Sequence, residues 1–136
     1  MTPTMEELRQ MARDANMWRE SGENGPDVWT LMREVQSEIH ECAVRKGWYD
    51  GSSQRNEAEL IALIHSELSE SLEAFRNGNP PDKHCPDYGN AEVELADCII
   101  RILDMAEHVG LDVVGAMAAK MRANWNREPR HGGKLY

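Results

Sequence analysis

Apolar residues recur along most of this chain at the three- and four-residue spacing of amphipathic α-helices, and this spacing constrains its fold most strongly. The alternation of β-branched residues that marks strands is nearly absent, and glycines and prolines fall between the periodic stretches. The pattern predicts five helices, at about 4–22, 26–47, 56–77, 91–108 and 113–125.

Helices of this length joined by short connections are typical of an antiparallel bundle. We therefore expect an all-α fold in one domain over residues 1–136, with a peripheral N-terminal helix within 1–25. The third helix is predicted to bury an apolar edge that runs from Ile61 to Phe75. The fourth carries apolar residues on two sides, which predicts that copies of the chain associate to complete the core.

Acidic residues outnumber basic ones by 24 to 15, which gives a formal net charge of −9. This balance argues against nucleic acid or an anionic membrane surface as the main partner. The sequence has no apolar run of the roughly 18 residues that a membrane span needs, and its start lacks the pattern of a signal peptide. We therefore expect a cytoplasmic protein.

Acidic residues three positions apart project from adjacent turns of one helix face, close enough to share a hard cation such as Mg²⁺. The sequence contains six such pairs: Glu20/Glu23, Glu38/Glu41, Glu67/Glu70, Glu70/Glu73, Glu94/Asp97 and Asp104/Glu107. The helical wheel directs Glu67 and Glu70 toward a neighbouring helix. Glu94 and Asp97 occupy a polar strip between two apolar sides, which would hold them inside the bundle.

Four carboxylates brought together in the interior repel one another and lose hydration unless protons, basic residues or cations neutralise them. Two or three divalent ions would do this most fully, so these four residues are predicted to form a metal site. Arg101, one turn after Asp97, offers a competing explanation as an intrahelical ion-pair partner. Glu38, at the edge of the second helix's apolar stripe, is either a further ligand or a solvated or arginine-paired glutamate.

The segment 120–136 holds five basic residues and one acidic residue, so it is net +4 while the remainder of the chain is −13. Its candidate phosphate ligands are Lys120, Asn124, Arg127, Arg130 and Lys134. The first three are spaced as one face of the fifth predicted helix. Arginine forks and lysine charges bind phosphate oxygens, although a solubilising basic tail would have the same composition. A metal-binding cluster combined with a phosphate-binding cluster suits a metal–triphosphate complex.

Two aromatic residues, Trp48 and Tyr49, follow Gly47 at the end of the second predicted helix. Such a ring can stack on a nucleobase, or it can simply cover the core. The chain has no P-loop, dinucleotide-binding or nucleophile-elbow pattern, and its histidines and cysteines lack the spacing of a zinc site.

The stretch 63–70, Leu-Ile-His-Ser-Glu-Leu-Ser-Glu, and the stretch 94–97, Glu-Leu-Ala-Asp, carry a family resemblance. They resemble the ExxE and ExxD motifs of the MazG-like all-α nucleoside triphosphate pyrophosphohydrolases, and the 23 residues between the motifs fall within that family's range. The similarity extends to Lys46-Gly47-Trp48 before the first motif and to the basic segment after the second. It covers most of the chain from about Val28.

The resemblance implies that the four motif carboxylates bind two or three Mg²⁺ ions, for which Mn²⁺ can substitute. It implies that Glu67 or Glu70 acts as the catalytic residue by orienting or deprotonating a water molecule. It further implies that Lys120, Asn124 and Arg127 hold phosphates, and that the products are a nucleoside monophosphate and pyrophosphate. The helical core of such a protein assembles into homodimers or homotetramers.

Members of this family act on pyrimidine or purine nucleotides, and viral members often act on guanine nucleotides, so dGTP or GTP is our expectation. The base pocket is expected in the block 48–56 and along the inward edge of the second helix, with Trp48 and Glu38 as its candidate residues. Two alternatives remain open. One is a related all-α hydrolase for dUTP, dCTP or a phosphoribosyl nucleotide, and the other is a non-catalytic helical interaction module with solvated acid pairs.

Overall fold

The computed structural model describes Thr4, residues 28–51 and residues 55–127. Regular structure in these residues is helical, apart from one isolated antiparallel bridge between Pro81 and Gly89. The helices are α1 (Val28–Arg45), α2 (Glu57–Arg76), α3 (Asn90–Val109) and α4 (Val113–Trp125). The all-α prediction is thus confirmed for this part of the chain. The first predicted helix falls, apart from Thr4, outside the described residues.

The described chain divides into two compact units by its internal contacts, one over Gln36–Leu111 and the other formed by the residues on either side. In the flanking unit, Asp112 caps α4 by accepting a hydrogen bond of 2.9 Å from the backbone N–H of Gly115. Its carboxylate also accepts two hydrogen bonds, of 3.0 and 3.1 Å, from the guanidinium of Arg33 in α1. Asp112 therefore fixes the start of α4.

Within the unit Gln36–Leu111, α2 and α3 pack against each other as an antiparallel pair. Asn56 caps α2 by accepting a hydrogen bond of 2.9 Å from the backbone N–H of Glu59. α3 ends at Gly110, whose φ of +81° is the left-handed conformation that glycine adopts without strain. No helix in the described ranges is both apolar and long enough to cross a lipid bilayer.

The second part of α1 runs antiparallel to α3 in the same unit. Nε2 of Gln36 donates a hydrogen bond of 2.8 Å to Glu107, and one turn later Nδ1 of His40 lies 2.8 Å from Oδ1 of Asp104. α3 therefore packs against α2 on one side and is hydrogen-bonded to α1 on another. Its apolar residues Leu95, Ile99 and Ile100 remain between 40% and 58% exposed.

The prediction of which face α2 buries is wrong in part. Its largest apolar side chains, Ile61, Leu68, Leu72 and Phe75, are between 44% and 59% exposed. The buried positions of this helix are Leu60, Glu67, Ser71 and Ala74. The small side chains of Ser71 and Ala74 let α3 approach closely, so the face that contains Glu67 turns toward α3. The four larger apolar side chains are left on the opposite, exposed face. We call these four exposed residues the outer stripe of α2.

The loop between α2 and α3 holds the start of α3 in place. Asn79 has a φ of +51°, and its Oδ1 accepts a hydrogen bond of 2.7 Å from the backbone N–H of Ala91. A Cβ on Gly89 would lie only 2.5 Å from the Asn79 side chain, so that side chain would have to move to accept any other residue there. Asp82 accepts hydrogen bonds of 2.8 Å from the backbone N–H groups of His84 and Cys85. The loop thereby fixes where the first turns of α3 lie.

Candidate metal centre

Three glutamates from two helices converge in the unit Gln36–Leu111. Glu67 and Glu70 project from adjacent turns of α2, and Glu94 faces them from α3. One carboxylate oxygen of each lies within 4.8 Å of the others. Glu67 is 6% exposed, Glu94 is half-buried and Glu70 is open to solvent. The cluster is therefore partly withdrawn from water but accessible from one side.

The electrostatics of the cluster are those of crowded negative charge. The pKa of Glu94 is raised from 4.5 to about 7, first by burial, then by its hydrogen bond with Glu70 and by the negative charges of Glu70 and Glu67. A hydrogen bond between two carboxyl groups requires a proton. Without a bound cation, this cluster therefore retains a proton at a pH where an exposed glutamate has lost it.

The structure places Asp97, the fourth predicted ligand, beside this group. It lies one turn after Glu94 on α3, and among the described residues it is not part of the group whose oxygens lie within 4.8 Å. Burial, and next the negative charge of Glu67, raise the pKa of Asp97, while Arg101 opposes this rise. Asp97 therefore shares the electrostatic environment of the cluster, and it lines the cavity next to it.

Arg101 forms an ion pair between helices. Its Nε donates a hydrogen bond to Oε1 of Glu67 on α2. The sequence suggested Asp97 as its partner, one turn away on the same helix. The pairing across the helix interface arises because Arg101 faces α2 at the level of Glu67. Its guanidinium carbon also lies 5.0 Å from the centre of the Trp48 ring.

An open cavity of about 410 Å³ adjoins the cluster. It is lined by Ile39, Cys42, Ala43, Lys46, Trp48, Glu67, Asp97, Ile100, Arg101 and Asp104. One wall is aromatic and aliphatic, while three carboxylates and two basic side chains complete the lining. Trp48 remains 46% exposed, and the guanidinium carbon of Arg55 also lies 5.5 Å from its ring centre.

Sequence reasoning missed a second polar group at this cavity. Asp104 is buried, and it accepts a hydrogen bond of 2.5 Å from the hydroxyl of Tyr49 while His40 pairs with its other oxygen. The ring of His108 lies 4.4 Å, centre to centre, from that of Tyr49. One sequence signal was available. A polar strip along α3 holds Glu94, Asp97, Arg101, Asp104 and His108 at successive turns.

The remaining predicted site residues lie elsewhere. Glu38 is exposed and lines a different, shallow cavity with Arg45 and Lys46, so it is not brought to the three glutamates or to Trp48. Lys120 and Asn124 lie exposed on α4 in the flanking unit. Arg127 is not on their helix face, because α4 ends at Trp125. The other two predicted phosphate ligands, Arg130 and Lys134, lie outside the described residues.

The donor set of the cluster suits a hard divalent cation. Carboxylate oxygens with access to water are the ligands that Mg²⁺ and Mn²⁺ prefer, and the nearby histidines pair with Asp104 and Tyr49 instead. A cation would also offset the burial of Glu94 and its repulsion by Glu70 and Glu67, which together raise its pKa. The residues present therefore fit such an ion. Comparison of the chain with protein-family models, curated proteins and solved structures gives no match.

Proposed function

We propose that this protein hydrolyses a nucleoside triphosphate or deoxynucleoside triphosphate to the monophosphate and pyrophosphate, as the MazG-like enzymes do. One observation carries the proposal: Glu67, Glu70 and Glu94 converge from two helices, and burial, together with the hydrogen bond to Glu70 and the charges of Glu70 and Glu67, raises the pKa of Glu94. Carboxylates at such spacing are what a Mg²⁺-dependent phosphate site needs.

The metal site of this proposal comprises the three clustered glutamates and Asp97 and takes two or three Mg²⁺ ions, with Mn²⁺ as a substitute. Bound ions would supply Lewis-acid polarisation of the phosphate oxygens. Glu67 or Glu70 orients the attacking water or accepts its proton. Glu70 is well suited because it is exposed to solvent, whereas Glu67 is buried and paired with Arg101.

The cavity beside the cluster is the proposed base pocket. Its aromatic wall, Trp48, offers a surface on which a base can stack. The substrate that we propose is a guanine nucleotide, dGTP or GTP, as for viral members of the family that the motifs resemble. A related hydrolase for dUTP, dCTP or a phosphoribosyl nucleotide is the alternative.

Two further parts of the proposal concern phosphates and assembly. The predicted ligands of the basic end, from Lys120 onward, are proposed to hold the triphosphate. The outer stripe of α2, which leaves large apolar side chains in water, is proposed to pack against another copy in a homodimer or homotetramer.

The test is turnover by the purified protein. Each (d)NTP is incubated with Mg²⁺, and nucleoside monophosphate and pyrophosphate are separated by ion-exchange chromatography. Glu67→Gln should abolish turnover with unchanged helicity, while Glu73→Gln, an exposed residue on the same helix, should retain it. If neither the wild type nor Glu73→Gln hydrolyses any of the nucleotides, the proposal is rejected.

One observation favours a non-catalytic helical module instead. The pair between Arg101 and Glu67 neutralises part of the cluster without any ion, as a purely structural interface would. The pKa of Glu94 distinguishes the enzyme from the non-catalytic module. Added Mg²⁺ should lower this pKa if the cluster binds metal, and should leave it unchanged if the cluster is only structural.

A further inference from the structure

Arg101 contacts both the acidic cluster and the aromatic wall of the adjoining cavity. Its side chain hydrogen-bonds to the buried Glu67 on α2, and its guanidinium lies over Trp48 at 5.0 Å. It also lines the cavity between the acidic cluster and that aromatic wall. Any cation that binds Glu67, and any ligand that stacks on Trp48, must therefore meet this one side chain.

The charges explain why Arg101 is held there. Three glutamates and Asp97 bring several negative charges to one place, and Arg101 lowers the electrostatic energy of both Glu67 and Asp97. A divalent cation would do the same more strongly. It would bind the carboxylate of Glu67, one oxygen of which, Oε1, now accepts the hydrogen bond from Arg101, and it would repel the guanidinium. Arg101 and the divalent cation are thus competitors for Glu67.

We propose that Arg101 is a stand-in cation on Glu67 in the metal-free protein and a phosphate ligand once a divalent ion has taken Glu67. This inference rests on the proposed function, because it requires the acidic cluster to bind metal.

The released side chain has a second binding role available without leaving the cavity. Its contact with Trp48 keeps the guanidinium near the proposed base pocket, and Lys46 lines the same cavity. A guanidinium can donate two parallel hydrogen bonds to the oxygens of a phosphate, and it is free to do so once its carboxylate partner has been taken by the cation. Arg101 therefore moves from protein carboxylate to substrate phosphate when metal and nucleotide are both bound.

This exchange predicts effects of opposite sign in one variant. Arg101→Gln removes the competitor, so Mn²⁺ should bind about tenfold more tightly in the absence of nucleotide, since a charge-assisted hydrogen bond no longer has to be broken. The same variant should bind a non-hydrolysable nucleotide about tenfold more weakly in the presence of saturating Mg²⁺, because a phosphate contact is lost. If Arg101 only supported the fold, or only oriented Glu67, Arg101→Gln would weaken the binding of Mn²⁺ and the binding of the nucleotide alike.

Mn²⁺ affinity is measured from the electron paramagnetic resonance signal of the free ion, for the wild type, Arg101→Gln and Arg101→Lys. Arg76→Gln removes the same charge from an exposed pair on α2 and should leave both affinities unchanged. Arg101→Lys keeps the charge but loses the fork, so its Mn²⁺ affinity should stay near that of the wild type while nucleotide binding weakens.

The wild type offers a measurement that does not depend on how well the Arg101 variants fold. Mg²⁺ should change the tryptophan emission because the guanidinium moves relative to Trp48, and Trp48→Phe should abolish that change. Wild-type protein that binds Mn²⁺ while Arg101→Gln binds it equally or more weakly overturns the exchange and leaves the proposed function standing. Absence of Mn²⁺ binding to the wild type overturns both.

Discussion

The hydroxyl of Tyr49 donates a hydrogen bond of 2.5 Å to Oδ2 of Asp104, 55 residues later in the chain. His40 pairs with the other oxygen at 2.8 Å, so both oxygens of this buried carboxylate have a partner. Burial, and next the bond to Asp104, raise the pKa of Tyr49 above its ordinary value of 10, which keeps the phenol protonated and donating. The contact ties the segment after α1 to α3 at the cavity.

Tyr49→Phe tests how much this contact stabilises the fold. The change leaves one oxygen of a buried carboxylate without its donor, so we expect the free energy of unfolding to fall by about 1–3 kcal/mol. Urea denaturation followed by circular dichroism measures it. Tyr88→Phe, at a side chain that is 60% exposed, should change stability by less than about 0.5 kcal/mol. Equal losses in the two variants would show that the hydrogen bond is not stabilising.

The stability of the metal-free protein should depend on pH through Glu94. Because its pKa is raised from 4.5 to about 7 in the folded state, the folded protein binds this proton more tightly than the unfolded chain. The resulting stability is complete below about pH 4.5 and is lost as the pH rises to about 7. In EDTA, the melting temperature should therefore fall more over this range in the wild type than in Glu94→Gln.

In saturating Mg²⁺, the melting temperature of the wild type should no longer fall more steeply with pH than that of Glu94→Gln. The reason is that a bound cation favours the ionised carboxylates and lowers the pKa of Glu94. Parallel pH curves for the wild type and Glu94→Gln in EDTA would contradict the assigned electrostatics.

The start of α3 should depend on the pair formed by Gly89 and Asn79. Gly89→Ala places a Cβ 2.5 Å from the Asn79 side chain, so the cap on Ala91 must move, and we expect a loss of about 1–3 kcal/mol. Asn79→Gly removes the obstructing side chain and suits the φ of +51° at this position. Gly89→Ala should then be tolerated to within about 0.5 kcal/mol in the Asn79→Gly background, as a urea double-mutant cycle would reveal. Additive effects would mean that the two residues are not coupled.

Trp48 should affect nucleotide binding through the area of its ring. Trp48→Ala is expected to raise the KM for the preferred nucleotide about tenfold, because stacking on an aromatic side chain contributes about 1–3 kcal/mol per base. Trp48→Phe should retain most of the affinity, and kcat should change little in either variant. Steady-state kinetics at saturating Mg²⁺ decide this. The same KM in both variants and the wild type would remove Trp48 from the base pocket.

The carboxylate cluster and the helix boundaries were accessible from sequence because both depend on local geometry. The three-residue spacing of Glu67 and Glu70 sets their common face whatever they pack against, and Asn56 caps its own helix. The polar strip of α3 likewise predicted that Glu94 turns toward the bundle, where the structure finds it half-buried.

The features that were missed depend on how helices meet. Whether Arg101 pairs with Asp97 or with Glu67 is decided by the register between α2 and α3, and the bond from Tyr49 to Asp104 by how α1 lies on α3. The buried face of α2 followed the small residues Ser71 and Ala74, where close approach outweighed the burial of larger side chains. Hydrophobic periodicity contains neither kind of information.

A titration with Mn²⁺, followed by electron paramagnetic resonance, tests most directly whether the three glutamates form a cation site. The account predicts saturable binding by the wild type and by Glu73→Gln, whose side chain points into solvent. It predicts that Glu94→Gln loses most of that affinity while remaining helical by circular dichroism. Binding to Glu94→Gln with the affinity of the wild type would contradict the account, because the ion would then be held elsewhere.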